Sequence, residues 1–361
     1  MLNTRRAAAV ALAAGTALAA VTGVGSAAAS PVHPVRSVEQ LPGDYVAPLQ
    51  FAVDGKRTYV ADSAQSLLFR LGNPNAIAKG PTPSKNPEES GDLAGVDARQ
   101  GRIAYTTTEA DHKNTYLTVL RHGKTVLKAN LGAYERWRNP DKRNTYGVEK
   151  PSKLSAECKA DLAKNNVPIT NTGGKDSHPY AVAGLSDGSW LVADAGGNDI
   201  LRVSRSGRIS TVAVLPAQPV KITSDLATML SVPNCVGITY RFEPVPTDVE
   251  VRGGRVYMTT LPGGAGGLGS VYTLGRHNQP IKIAGGFAQA TNLAVSPSGR
   301  IYVVELGVGI FTPGKHGPKK VVDLPNAAAV EWANGHLYAS TAPVAASEGK
   351  DMSPGHVFVV R

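Results

Sequence analysis

Short runs in which apolar and polar positions alternate recur along this chain on either side of a glycine turn. The fullest is Ala181-Val182-Ala183-Gly184-Leu185-Ser186-Asp187-Gly188-Ser189-Trp190-Leu191-Val192-Ala193-Asp194. Asp248 to Tyr257 and Asn292 to Tyr302 repeat its outline, and weaker copies run from Phe51 to Asp62, Gly95 to Thr107 and Val330 to Ser340. A period of two suits strands with one packed face and does not suit an amphipathic helix. Asp54-Gly55 and Asn334-Gly335 supply the positive φ that tight hairpins need. Tyr59, Tyr105, Tyr257, Tyr302 and Tyr338 recur as flat fillers between sheets and carry no catalytic expectation.

Six such hairpin units, spaced at roughly 40 to 50 residues, are the mark of a β-propeller built from four-stranded blades. The expected fold class is all-β, a six-bladed β-propeller. The separations from Tyr105 to Leu191 and from Leu191 to Tyr257 exceed one blade, so two inter-blade insertions are expected, at about 131–177 and 218–242. Ser155 to Asn165 in the first and Ser224 to Leu230 in the second have compositions that permit short helices. The domain reading is a signal peptide at 1–29, a lead-in at 30–47 that helps close the last blade, and one propeller over 48–361. Closure is expected where Val357 to Val360 pair with a strand from the opening residues.

Each insertion holds one cysteine, Cys158 and Cys235, and there are no others. A disulfide across the rim is the preferred reading, provided the compartment is oxidising. The N-terminus speaks to that point: Arg5-Arg6, the small apolar run Ala7 to Val24, and Ser26-Ala27-Ala28-Ala29 before Ser30 have the form of an export signal. Sec-type secretion is expected; Arg5-Arg6 also permits twin-arginine export. No later apolar run is long enough for a membrane anchor. The net charge of +10 stays clearly positive without Arg5 and Arg6, but the basic residues are scattered, which reads as a solvated basic surface with no nucleic-acid module. A monomer is expected, with an extracellular protein, glycan or small molecule as partner.

Two stretches resemble the ScyD/ScyE family of secreted actinobacterial and cyanobacterial proteins. One runs from Val236-Gly237-Ile238-Thr239-Tyr240 through Asp248-Val249-Glu250-Val251 to Thr259-Thr260-Leu261-Pro262-Gly263-Gly264 and Gly269-Ser270-Val271-Tyr272. The other is Asp176-Ser177-His178-Pro179-Tyr180 continuing to Asp194-Ala195-Gly196-Gly197-Asn198-Asp199-Ile200, which is also similar to an NHL repeat. The resemblance implies a six-bladed propeller and an exported protein, and it brings no established catalytic residues.

Aligning the hairpins by their turns places Gln50, Gly95, Ala181, Asp248, Asn292 and Ala329 at one channel position, and Ala52, Asp97, Ala183, Glu250, Ala294 and Glu331 two residues on. Oxygen ligands such as Asp97, Asp248, Glu250, Asn292 and Glu331 suit a hard cation like calcium. Gluconolactonase- and regucalcin-type propellers use such a set for metal-dependent hydrolysis. The preferred reading is a non-catalytic binding propeller whose polar, water-filled channel holds no metal, and the calcium-dependent lactonase or esterase is the alternative. On the rim, His178, Tyr180 and Trp137 are the candidate binding residues. Gly184-Leu185-Ser186-Asp187-Gly188 spells a nucleophile elbow but falls on a hairpin instead of a strand-to-helix turn. The histidines and cysteines lack zinc spacing.

Overall fold

The computed structural model describes residues 37–84, 90–264, 267–342 and 354–361. The signal at 1–29 and the first part of the lead-in lie outside them. The described residues form seven antiparallel sheets of four strands each. Six run in chain order, and their first strands are Pro48–Asp54, Asp92–Arg99, Pro179–Gly184, Pro246–Arg252, Ala290–Val295 and Ala327–Ala333. Each of these strands packs beside the next, and the last packs beside the first. Their order in space therefore repeats their order in sequence, with the axis at the first strands, as in a β-propeller.

Every one of the six first strands breaks register one or two residues after its first pair, at Pro48/Gln50, Leu93/Val96, Pro179/Ala181, Pro246/Asp248, Ala290/Asn292 and Ala327/Ala329. Such a bulge re-aims the next side chain and adds twist. Gly95 shows how close the strands then run, since a β-carbon there would lie 2.9 Å from the Ala181 α-carbon. Apolar seams fill each gap between neighbouring sheets. One seam joins Tyr59 and Leu68 to Leu93 and Tyr105, another joins Leu191 and Ile200 to Val249 and Met258, and a third joins Phe51 and Phe69 to Ala329 and Val357.

The sixth sheet takes strands from both ends of the chain. Val38–Gln40 pairs antiparallel with Val357–Val360, which pairs in turn with His336–Thr341. The early strand thus covers an edge that would otherwise present free backbone groups.

The seventh sheet belongs to neither hairpin series. Its order is Thr170–Thr172, Thr145–Val148, Thr239–Phe242, Gln218–Lys221, two strands from each insertion. The insertions therefore hold more than the short helices expected of them: they combine into one sheet. Their helices are α1 (Leu131–Arg138), α2 (Ala156–Lys164) and α3 (Ser224–Met229), capped by the side chains of Asn130, Ser155 and Thr223. Cys158 on α2 is bonded to Cys235, with α-carbons 4.8 Å apart. Around them Leu154, Leu162, Ile222, Leu226, Val232 and Phe242 form a small core separate from the seams. The sheet is tied to the ring where the Tyr272 hydroxyl donates to Gln218 Oε1 at 2.7 Å. No helix among the described residues is long and apolar enough to cross a membrane.

Candidate functional site

The bulged first strands bring the polar channel residues to the axis, where most of them bridge sheets. Asp97 Oδ1 accepts from the Ala98 amide at 2.6 Å, and its Oδ2 accepts from the Gly184 amide in the third sheet at 2.6 Å. Asp248 does the same in the fourth sheet, accepting from Val249 at 2.9 Å and from Leu293 in the fifth sheet at 2.7 Å. Asn292 accepts from the Val330 amide of the sixth sheet at 2.6 Å and donates to Gln50 Oε1 of the first at 3.0 Å. Three of the five channel residues singled out in the sequence thus clamp one sheet to its successor.

Glu250 and Glu331 are the two whose carboxyls no main-chain amide occupies. They lie deep among the strands, yet solvent still touches them. Burial, reinforced by Asp97 and Asp248, pushes Glu331 up to about 8; burial and the neighbouring Glu331 push Glu250 well above the usual carboxylate range. Like charges in one site do not ionise together, so the pair retains a proton near neutral pH. Burial also pushes Asp248 up to about 7. Arg252 supplies the nearby positive charge, its guanidinium held by the Val295 carbonyl at 2.8 Å and the Trp332 carbonyl at 3.0 Å. Among the described residues, no three His, Cys, Asp or Glu groups are gathered as a ready-made cation cage.

At the entry to the second and third sheets, His178 Nε2 lies 2.9 Å from Asp92 Oδ2, and His112 Nδ1 lies 2.8 Å from Asp176 Oδ1. The two imidazoles are 5.0 Å apart, and Tyr180 sits edge-on to His178 at 6.0 Å. Burial alone would lower the His178 value, but Asp92, with Asp176 and Asp194 behind it, carries it up to about 9. His178 is therefore a fixed cation at neutral pH. Ser177 Oγ donates to Asp194 Oδ2 at 2.7 Å and meets Thr115 Oγ1 at 2.7 Å; neither partner is a histidine, and the set does not form a nucleophilic triad. Sequence reading found His178 and Tyr180 but not Asp92 and His112. Those two lie in the preceding unit, and only the packing of the second sheet on the third brings them in.

Trp137 stands apart from this pair of dyads. It is 72% exposed on α1, with the Arg138 guanidinium 4.1 Å over its ring. It lines a shallow groove with Tyr134, Arg138, Arg208 and Ser210. The rim residues expected from sequence therefore fall into two places.

No family model matches the sequence, and no curated protein matches it. Among solved structures the chain is similar to the PQQ-bound aldose sugar dehydrogenase of Streptomyces coelicolor, at 13% identity over 91% of this chain and 99% of that one, with a TM-score of 0.52. It is also similar to an oxidoreductase (glucose dehydrogenase) of Thermus thermophilus, at 15% identity over 90% and 99%, with a TM-score of 0.51. A gluconolactonase of Xanthomonas campestris aligns at 10% identity over 90% and 89%, with a TM-score of 0.47. At 13% and 15% identity the likeness to the two dehydrogenases speaks for the β-propeller fold alone.

Proposed function

We propose that this chain is a secreted, non-catalytic six-bladed β-propeller of the ScyD/ScyE type, which binds an extracellular protein, glycan or small molecule through its insertion-bearing rim. In this reading the six sheets that follow one another in the chain are the blades, and the seventh sheet is a rim module pinned by the disulfide. The observation that carries the reading is the use made of the channel's polar side chains. Asp97, Asp248 and Asn292 accept main-chain amides of the following blade, so they serve ring closure. The disulfide suits an oxidising compartment, which agrees with export.

Glu250 and Glu331 favour a second reading, a calcium-dependent lactonase or esterase, because these two acids face each other beside Arg252 with no main-chain amide donating to them. If the residues served that purpose, Glu250, Glu331 and the outer lone pairs of Asp97 and Asp248 would hold the cation, which would polarise a carbonyl oxygen. The test is turnover of lactones and aryl esters by purified chain with and without millimolar calcium. The non-catalytic reading predicts no turnover in either condition. Calcium-dependent turnover that disappears in Glu250→Gln and Glu331→Gln would replace it with the second.

A further inference from the structure

The loop Asp194-Ala195-Gly196-Gly197-Asn198-Asp199 joins the second and third strands of the third sheet, and the inner face of α1 lies against it. A β-carbon on Gly197 would lie 3.3 Å from Asp194 Cγ, 3.3 Å from Glu135 Oε2 and 3.5 Å from Asp199 Oδ1. One point in space is thus within reach of three carboxyl groups from two elements, and the lack of a side chain at Gly197 leaves it open. Glu135 is 1% exposed and Asp199 is fully buried, yet neither oxygen of either carboxyl has a hydrogen-bond partner. Asp141 is 1% exposed; its Oδ2 accepts from Tyr146 at 2.9 Å and from Asn198 at 3.0 Å, while its Oδ1 is unpartnered.

Buried polar groups in folded proteins almost always have partners, and a buried unpaired carboxylate is among the costliest exceptions. Asp194 is satisfied by Ser177 Oγ and by the His178 and Gly197 amides, but the facing charges do not relieve Glu135, Asp199 and Asp141. Asp176 adds repulsion to Glu135, Glu243 adds repulsion to Asp141, and the cation near Glu135 is Lys175, whose side chain is exposed. His178 spends its charge on Asp92. The donors that remain are oxygens, with neither thiol nor imidazole among them.

We propose that Glu135 and Asp199, flanked by Asp194 and Asp141, form a buried site for one hard divalent cation of the calcium class. Calcium takes six to eight oxygens in flexible geometry, so bidentate Glu135 and Asp199 with a contribution from Asp194 and Asp141 fit its demand. The carboxyls are not gathered as a ready-made cage, and the site requires rotation about their side-chain bonds to bring the oxygens inward. The site bridges the third sheet, α1 and the connection into the seventh sheet, so the cation would fasten the rim module to the ring. It is distinct from the channel acids. Without a cation, burial and the neighbouring acids push Glu135 up to about 9, so the competing arrangement is a protonated, metal-free cluster.

Equilibrium dialysis and thermal melts of full-length mature protein, stripped with EDTA and titrated with calcium chloride, test the site. The expected result is one calcium per chain and a melting temperature raised by about 4 °C at a hundredfold excess over Kd. Glu135→Gln and Asp199→Asn should lose the calcium and the shift. Glu250→Gln/Glu331→Gln should keep the calcium. Absence of calcium uptake at millimolar concentration, with highest stability at acid pH, would overturn the site in favour of the protonated cluster. Undiminished uptake in Glu135→Gln/Asp199→Asn, or its loss in Glu250→Gln/Glu331→Gln, would overturn the placement.

Discussion

His178 keeps its charge in a half-buried place because Asp92 faces it at hydrogen-bond distance, with Asp176 and Asp194 close by and His112 and Tyr180 packed against its ring. Its folded value of about 9 lies above the ordinary 6.5. The pair's contribution is therefore complete below about pH 6.5 and is lost as pH rises through about 9. Urea melts across that range should show wild type losing more stability than Asp92→Asn; parallel losses would remove the pair from the account. Asn292 offers a test free of titration. Its amide joins the fifth sheet to the sixth through Val330 and reaches Gln50 in the first, so Asn292→Ala should cost about 2 kcal/mol by leaving buried partners unmet. A chemical melt within about 0.5 kcal/mol of wild type would contradict this.

Among the elements, the two insertions behave as one unit because neither can build a sheet alone. Thr145–Val148 from the first pairs with Thr239–Phe242 from the second, and the disulfide closes 77 residues between them. Cys158→Ser/Cys235→Ser should cost about 4 kcal/mol in the chain-entropy picture, as local opening of this module. Hydrogen exchange should quicken over 145–172 and 218–242 and stay unchanged in the first strands of the ring; uniform quickening would mean the module is not separable. The hairpins, the cysteine pair and the helices α2 and α3 were legible in the sequence, since alternation, glycine turns and N-cap residues are local signals. The seventh sheet was not, because Thr145–Val148 and Thr170–Thr172 are short strands that pair with each other across the intervening helix α2, and Thr145–Val148 finds its other partner, Thr239–Phe242, in the second insertion. Nor was α1 anticipated: Gly132 in its first turn and Pro140 just past its end mask a helix whose start is set by Asn130. At the channel, the turn-based alignment singled out Asp97, Asp248 and Asn292 as candidate ligands, and their contacts with the amides of Gly184, Leu293 and Val330 were not legible because those amides belong to the neighbouring sheet.

Across the molecule, the sheets whose first strands pack in sequence close a ring, and the last of them is completed by Val38–Gln40. Deleting residues 37–41 should expose the edge of Val357–Val360, lower the melting temperature by several degrees and promote association. A monomer of unchanged stability would show that the early strand is dispensable. Closure also rests on the axis, where Asp97, Asp248 and Asn292 hold the amides of Gly184, Leu293 and Val330 in the following sheet. The most direct test is residue-resolved amide exchange on Asp97→Ala, Asp248→Ala and Asn292→Ala. We predict that each variant loses protection at least tenfold at its own partner amide, a change of about 1.4 kcal/mol, with the other two amides little changed. Unchanged protection at all three partner amides would contradict the assignment of these side chains to ring closure.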